Sequence, residues 1–226
     1  MSKRRIKFSK LNMAKYISHL DLLRCFTRSI SRSGLPIEYS EGFNPHQKMA
    51  FALPLPVGVT SVCEFVDISL TDGVCTDEEI MERLNLNLPP DIRVLRVGNA
   101  DIKPATIVSA KYLIMLPCGE KLTQEMISKF FAQSEVVVMK KTKKGKEKPI
   151  NILEYVRSWE IKEVDEQTLL LDVILDAGGE RNLKPDVLID RLADMYPSID
   201  KYGAEIMREC IFAKPDANSD KYELFE

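Results

Sequence analysis

The chain has only two histidines, His19 and His46, and each stands among groups able to bind or act on a ligand. The run "SHLD" at 18–21 sets a base beside a hydroxyl and a carboxylate. The run "YSEGFNPH" at 39–46 puts Tyr39, Ser40, Glu41, Phe43, Asn44 and His46 on one short turn. Two imidazoles facing one cleft could serve as general acid and base in metal-independent RNA cleavage, in which a 2′-hydroxyl attacks the adjacent phosphate. Two histidines are too few for a three-histidine metal centre built from this chain. The five cysteines, Cys25, Cys63, Cys75, Cys118 and Cys210, include no C-x-x-C pair. The sequence therefore predicts no metal site, no iron-sulfur cluster, no disulfide framework and no cofactor.

A second chemistry is anion binding. Arg24, Arg28 and Arg32 recur at i, i+4 and i+8, one stripe of a helix. Such a stripe reads either as a solvated face or as a phosphate-tracking surface, for which the planar guanidinium fork is suited. Residues 140–148 hold six lysines, among them Lys141, Lys143 and Lys144. They read as a solubilising hairpin tip or as a further nucleic-acid contact. The net charge of −2 conceals an uneven distribution: residues 1–48 carry ten Lys or Arg against three acids, net +7, and the other 178 residues carry −9. A basic end invites an anionic partner.

These residues must be positioned by regular elements. "RIKFSKLNMAKYI" alternates as a strand with a turn near Asn12. A helix follows over 18–34, with Ser18 as N-cap, Asp21 three residues on, and Gly34 and Pro36 closing it. Its buried face is predicted to hold Leu20, Leu23, Phe26, Thr27 and Ile30. In "GFNPHQKMAFALP", Gly42 can supply a positive φ and Pro45 limits pairing, so the segment reads as a bulged hairpin strand whose tip is also a candidate site. "SVCEFVDISL", "TDEEIMERLNLNL" and "DIRVLRVGNA" complete a β-α-β-β-α-β order. The second half repeats the plan through "TIVSAKYLIML", "LTQEMISKFFAQS", "EVVVMKK", "TLLLDVILD", "KPDVLIDRLADMY" and "YGAEIMRECIFA", with a long excursion after the second strand. The predicted class is α+β, two tandem ferredoxin-like domains at 1–103 and 104–213, with a loose tail at 214–226. A hydrophobic content of 45% and a charged content of 29% are ordinary for a soluble globular protein. The apolar stretches are too short to cross a bilayer, and "MSKRRIKF" is not followed by a signal core, so a cytoplasmic location without membrane contact is expected.

With these motifs in place, the chain resembles the radical-SAM-linked proteins, a bacterial domain of unknown function found fused to, or encoded beside, radical S-adenosylmethionine enzymes. The resemblance rests on "SHLD", Arg24 and Arg28, "LP" at 35–36, "YSEGFNPH", "LPLPVGV" at 53–59, "KKTKKGK" and "NLKPD". It implies an accessory module whose partner is a separately encoded radical enzyme. The chain has no C-x-x-x-C-x-x-C, so radical chemistry would belong to that partner. The function expected is binding of a structured RNA, transfer or ribosomal, for its modification or processing. The arginine stripe and the lysine run would hold phosphates, while His19, Phe43, Asn44 and His46 contact a nucleotide. The RNP-type aromatic signature is absent from the candidate strands. Two alternatives stand beside this: an endoribonuclease using His19 and His46, with no other catalytic candidates, and a pure protein adaptor for the radical enzyme.

Overall fold

Alternation of side chains builds the first strand, β1 (Ser2–Lys10): Ile6 and Phe8 enter the core, while Arg5, itself buried, and Lys7 lie on the opposite face. The structure is a computed structural model that describes residues 2–71, 75–141, 145, 147–165, 167–214 and 222–226. It is mixed α+β, with four α-helices among the described residues and a mostly antiparallel sheet. Two compact units divide the chain: Met1–Ile107 with Cys210–Glu226, and Val108–Glu209.

In the first unit, the chain leaves β1 through a 3-10 turn at Asn12–Tyr16, where Asn12 adopts φ 46°. Helix α1 (His19–Ser33) then starts on Ser18, whose hydroxyl accepts from the Asp21 amide at 3.2 Å. It ends at Gly34 in the left-handed region (φ 66°), a conformation that favours glycine. Next come β2 (Met49–Phe51), β3 (Thr60–Leu70), α2 (Asp77–Asn87) and β4 (Ile92–Asn99). α2 opens on a reciprocal capping box between Thr76 and Glu79. The strands lie in the order β4-β1-β3, with β2 on the far edge of β3 through Met49↔Ile68 and Phe51↔Val66. Ile6, Phe8, Val66, Ile68 and Val94 meet Leu22, Phe26 and Ile30 of α1 and Ile80 and Leu84 of α2 in one core. Phe26 is central: its ring lies 4.8 Å from Phe8 and 5.5 Å from Phe51.

The helix face differs from the sequence expectation. Leu22, Phe26, Ser29 and Ile30 are buried, whereas Leu20 is exposed. Leucines at 20, 22 and 23 allow two overlapping helical stripes, and packing on Phe8 selects the one through Leu22.

The second unit contains β5 (Ile107–Pro117), α3 (Gln124–Phe131), a separate hairpin β6 (Val137–Lys141) with β7 (Glu147–Asn151), β8 (Val156–Val164), β9 (Thr168–Asp176) and α4 (Pro185–Met195). β9 pairs with both β5 and β8. This corrects the strand assignment: "EVVVMKK" pairs only within its hairpin, and the strand beside β9 is β8, inside the supposed excursion. Register shifts at Val156/Ser158 and Ile161/Glu163 interrupt the alternation of β8, which hides it from a period-two reading. Lys111 contacts Asp172 at 2.9 Å and Glu209 of β10 (Glu205–Ala213) at 3.0 Å.

The chain end is a further correction. Glu223–Leu224 (β11) pair with Phe212 and Ala213, and Phe225 is 1% exposed, so residues 222–226 are held in place rather than loose. The driving group is one aromatic side chain, which finds Phe65 at 5.1 Å. A short polar tail gives little sign of that contact.

Candidate nucleic-acid interface

The turn at 39–46 is built as a small hairpin packed beside α1. Tyr39 and Gln47 bridge, the Ser40 amide donates to the His46 carbonyl at 2.8 Å, and the Lys48 amide donates to the Glu38 carbonyl at 2.8 Å. The Ser40 hydroxyl accepts from the His46 amide at 3.1 Å and lies 2.8 Å from His46 Nδ1. These bonds tie down both ends, and Gly42 at φ 111° lets the tip reverse. The tip residues Glu41, Phe43, Asn44, Pro45 and His46 all face solvent, and Phe43 is 105% exposed. The Phe43 ring thus packs on nothing among the described residues.

Between this hairpin and α1 lies a cavity of about 280 Å³, lined by Leu23, Thr27, Ser31, Tyr39, Pro45, His46, Gln47 and Met49. Gln47 forms its floor and is 5% exposed. Its Nε2 donates to the Thr27 carbonyl at 3.2 Å and to Ser31 Oγ at 2.9 Å. The other amide atom, Oε1, is buried and has no hydrogen-bond partner among the described residues. A buried acceptor without a partner costs about 1–3 kcal/mol, a cost that any donor reaching it, water included, would remove. Sequence reasoning missed Gln47, Thr27 and Ser31. The only available signal was the i, i+4 spacing of two hydroxyl residues, and nothing marked Gln47 as buried.

The arginines flank this cavity. At 100° per residue, Arg24 and Arg28 lie about 60° and 100° round α1 from Thr27, on the solvent side. Arg24 pairs with Asp21 at 3.1 Å, and both are exposed. The Ser18 hydroxyl donates to Asp21 at 2.7 Å, and that bond, with Arg24 behind it, lowers the Asp21 pKa. Arg28 is exposed and makes no ion pair among the described residues. Arg32 turns elsewhere, donating to the Asn87 carbonyl at the end of α2 at 3.2 Å.

His19 does not join the cavity. Its ring lies edge-on to Phe51 at 5.3 Å, while His46 is bonded to Ser40. The structure thus gives the two imidazoles separate neighbours, and the helical rise alone puts about 12 Å between His19 and Thr27. Of the lysine run, Lys143 and Lys144 lie outside the described residues, and the Lys141 backbone sits opposite Glu147 in the β6–β7 hairpin. Among the described residues no group of three or more His, Cys, Asp or Glu could hold a metal ion, and no helix is long and apolar enough to cross a membrane.

The geometry is that of a surface cleft with an open acceptor, exposed rings and flanking cations. The chain belongs to a family described as an uncharacterized protein conserved in bacteria (DUF2344), matched over residues 3–185. No curated protein matches it. Among solved structures it is similar to a chain of a Cbf5-Nop10-Gar1 complex, at 11% identity and a TM-score of 0.48, covering 91% of this chain and 47% of that one. It is likewise similar to a chain of the archaeal box H/ACA sRNP Nop10-Cbf5 complex, at 13% identity and a TM-score of 0.47, with 91% and 46% covered. A third is an H/ACA RNP bound to a substrate RNA containing 2'-deoxyuridine, at 10% identity and a TM-score of 0.47, again with 91% and 46% covered. The chain spans about half the length of the chains it matches. Likeness at this level establishes neither a shared fold nor a function.

Proposed function

We propose that this protein is a cytoplasmic, non-radical accessory module that binds RNA through the cleft between α1 and the 39–47 hairpin, and that a separately encoded radical S-adenosylmethionine enzyme acts on the bound RNA. The observation that carries the binding half is the open, buried Oε1 of Gln47 in a cavity of about 280 Å³. That atom is closed to solvent in this structure, so it accepts from the exocyclic amine or ring N–H of an unstacked base only once the hairpin shifts aside. Tyr39 and Phe43 offer ring faces to flanking bases, and Arg24 and Arg28 offer guanidinium groups to the backbone, the combination by which single-stranded segments of structured RNA are held. The partner half rests on the motif resemblance alone. The antiparallel β4-β1-β3 order, with the short β2 also pairing with β3, supports a ferredoxin-like description of the first unit. Nothing in the geometry favours the endoribonuclease alternative, which needs His19 and His46 on one phosphate.

The test is affinity for bacterial transfer RNA across a salt series, for the native protein and for Arg24→Glu/Arg28→Glu. Two lost phosphate contacts lower the salt slope by about 1.4–1.8. A flat salt dependence of the native protein, or an unchanged slope in the variant, contradicts the assignment.

A further inference from the structure

The face of the first unit's sheet opposite α1 and α2 carries a second cationic cleft. Pairing places Lys7 opposite Phe65 on β3 and opposite Arg96 on β4, and Arg5 opposite Gly98. These five residues, with Asn99, Asp101 and Glu226, line a cavity of about 200 Å³. Two side chains of the 222–226 segment lie against it. The Phe225 ring meets Phe65 edge-on at 5.1 Å, with the Arg5 guanidinium 4.0 Å from its centroid. The Glu226 carboxylate accepts from Lys7 Nζ at 2.8 Å and from Arg96 at 2.6 Å. These contacts hold its pKa below the usual carboxylate range, with the Lys7 hydrogen bond as the largest cause.

An aromatic ring followed at once by a doubly bonded anion matches the chemistry of a nucleoside phosphate: a planar ring beside Phe65 and Arg5, and oxygens on Lys7 and Arg96. The hold on the occupying segment comes chiefly from the Phe225 ring and the two Glu226 ion pairs, the contacts a base and a phosphate would replace. β11 pairs at only two positions, and so short a strand adds little stability of its own. The cleft was invisible in the sequence because its aromatic pair, Phe65 and Phe225, comes from residues 160 positions apart.

We propose that this cleft is a nucleoside-phosphate site for single-stranded RNA, occupied in cis by Phe225 and Glu226 until RNA displaces them. It rests on the RNA-binding reading but uses a surface separate from the α1 cleft. Arg5 is committed to Asp67, which takes its Nε at 2.8 Å and its Nη2 at 3.0 Å, so Lys7 and Arg96 are the phosphate ligands.

The experiment titrates uridine 5′-monophosphate into the full chain and follows the backbone amides of Gly98 and Asn99 by NMR. Glu226→Gln keeps the side-chain shape and removes its charge; with the self-occupied state weakened, affinity at these amides rises by about tenfold. Adding Gly98→Leu abolishes that gain by filling the cleft, since a Cβ at Gly98 meets nothing within 4 Å. Phe225→Ala gives the same rise, and Glu226→Gln decides the matter if Phe225→Ala fails to fold. Equal affinity in the native and Glu226→Gln proteins overturns the proposal, as does the absence of shifts at Gly98 and Asn99 in every variant. Shifts confined to Thr27 and His46 overturn this site and leave the α1 cleft standing.

Discussion

The cation-rich surface beside α1 and the charged clusters of the second unit contain the same residue types in opposite states. In the second unit, Asp176 has a side chain 5% exposed and takes Arg157 Nε at 2.5 Å and Arg181 Nε at 2.6 Å. Arg181 also covers the Tyr155 ring at 4.3 Å, and Lys140 donates to the Asn182 carbonyl at 2.8 Å. Beside α1, Arg28 has no ion pair among the described residues, Phe43 stands in water, and Gln47 keeps a buried acceptor open. Charge density alone therefore does not mark a site. Nor does a lone unpartnered group, since Arg191 Nε in α4 is also buried without a partner among the described residues; what sets the surface beside α1 apart is an unpartnered acceptor, an exposed ring and exposed arginines around one cavity.

Mutations that separate stability from RNA affinity sharpen this contrast. The largest effect belongs to the second unit: Asp176→Ala removes the carboxylate shared by Arg157 and Arg181, which keep only their remaining contacts. Breaking a buried pair costs about 3–5 kcal/mol, and partial exposure of both arginines reduces the prediction to about 2–3 kcal/mol, read by urea denaturation. RNA affinity of the folded variant is unchanged; a joint loss would merge the two regions into one functional surface. Phe43→Ala behaves in reverse, losing about 1–2 kcal/mol of RNA binding by titration with no change in melting temperature, as expected for a stacking ring that packs on nothing. Ser18→Ala removes the α1 cap and costs about 1 kcal/mol of stability by thermal melting, with a small loss of RNA affinity as Arg24 loses its ordered start of helix.

The same substitution has a pH signature, the smallest effect. Asp21 titrates below its ordinary value in the folded protein, so its contribution is present above the unfolded carboxylate pKa and fades as pH falls through the lowered folded one. Ser18→Ala removes the largest cause of that shift and narrows the acid window over which stability is lost. An NMR titration of Asp21 in both proteins reads it directly, and an unmoved Asp21 curve contradicts the hydrogen-bond cause.

Local rules read well where the chemistry is local. Ser18 and Gly34 mark the ends of α1, and Thr76 with Glu79 starts α2, because caps depend on residues within one turn. The hairpin at 39–46 was legible for a similar reason: Gly42, Pro45 and the short polar side chains state their own geometry. What failed was decided at a distance. The buried face of α1 depends on Phe8, and β8 is disguised by two register shifts. The place of residues 222–226 depends on Phe65 and Lys7, more than 150 positions away. Most of the candidate site's rim was visible, namely Tyr39, Phe43, Asn44, His46, Arg24 and Arg28. Its floor was not, since the burial of Gln47 is created only when the hairpin folds onto Thr27 and Ser31.

Ultraviolet crosslinking of bound RNA to the full-length native chain, with the crosslinked peptides mapped by mass spectrometry, tests the central claim most directly. Crosslinks at Tyr39, Phe43 or His46 that disappear in Arg24→Glu/Arg28→Glu are the predicted result. Crosslinks confined to the second unit, or unaffected by the arginine substitutions, would contradict it.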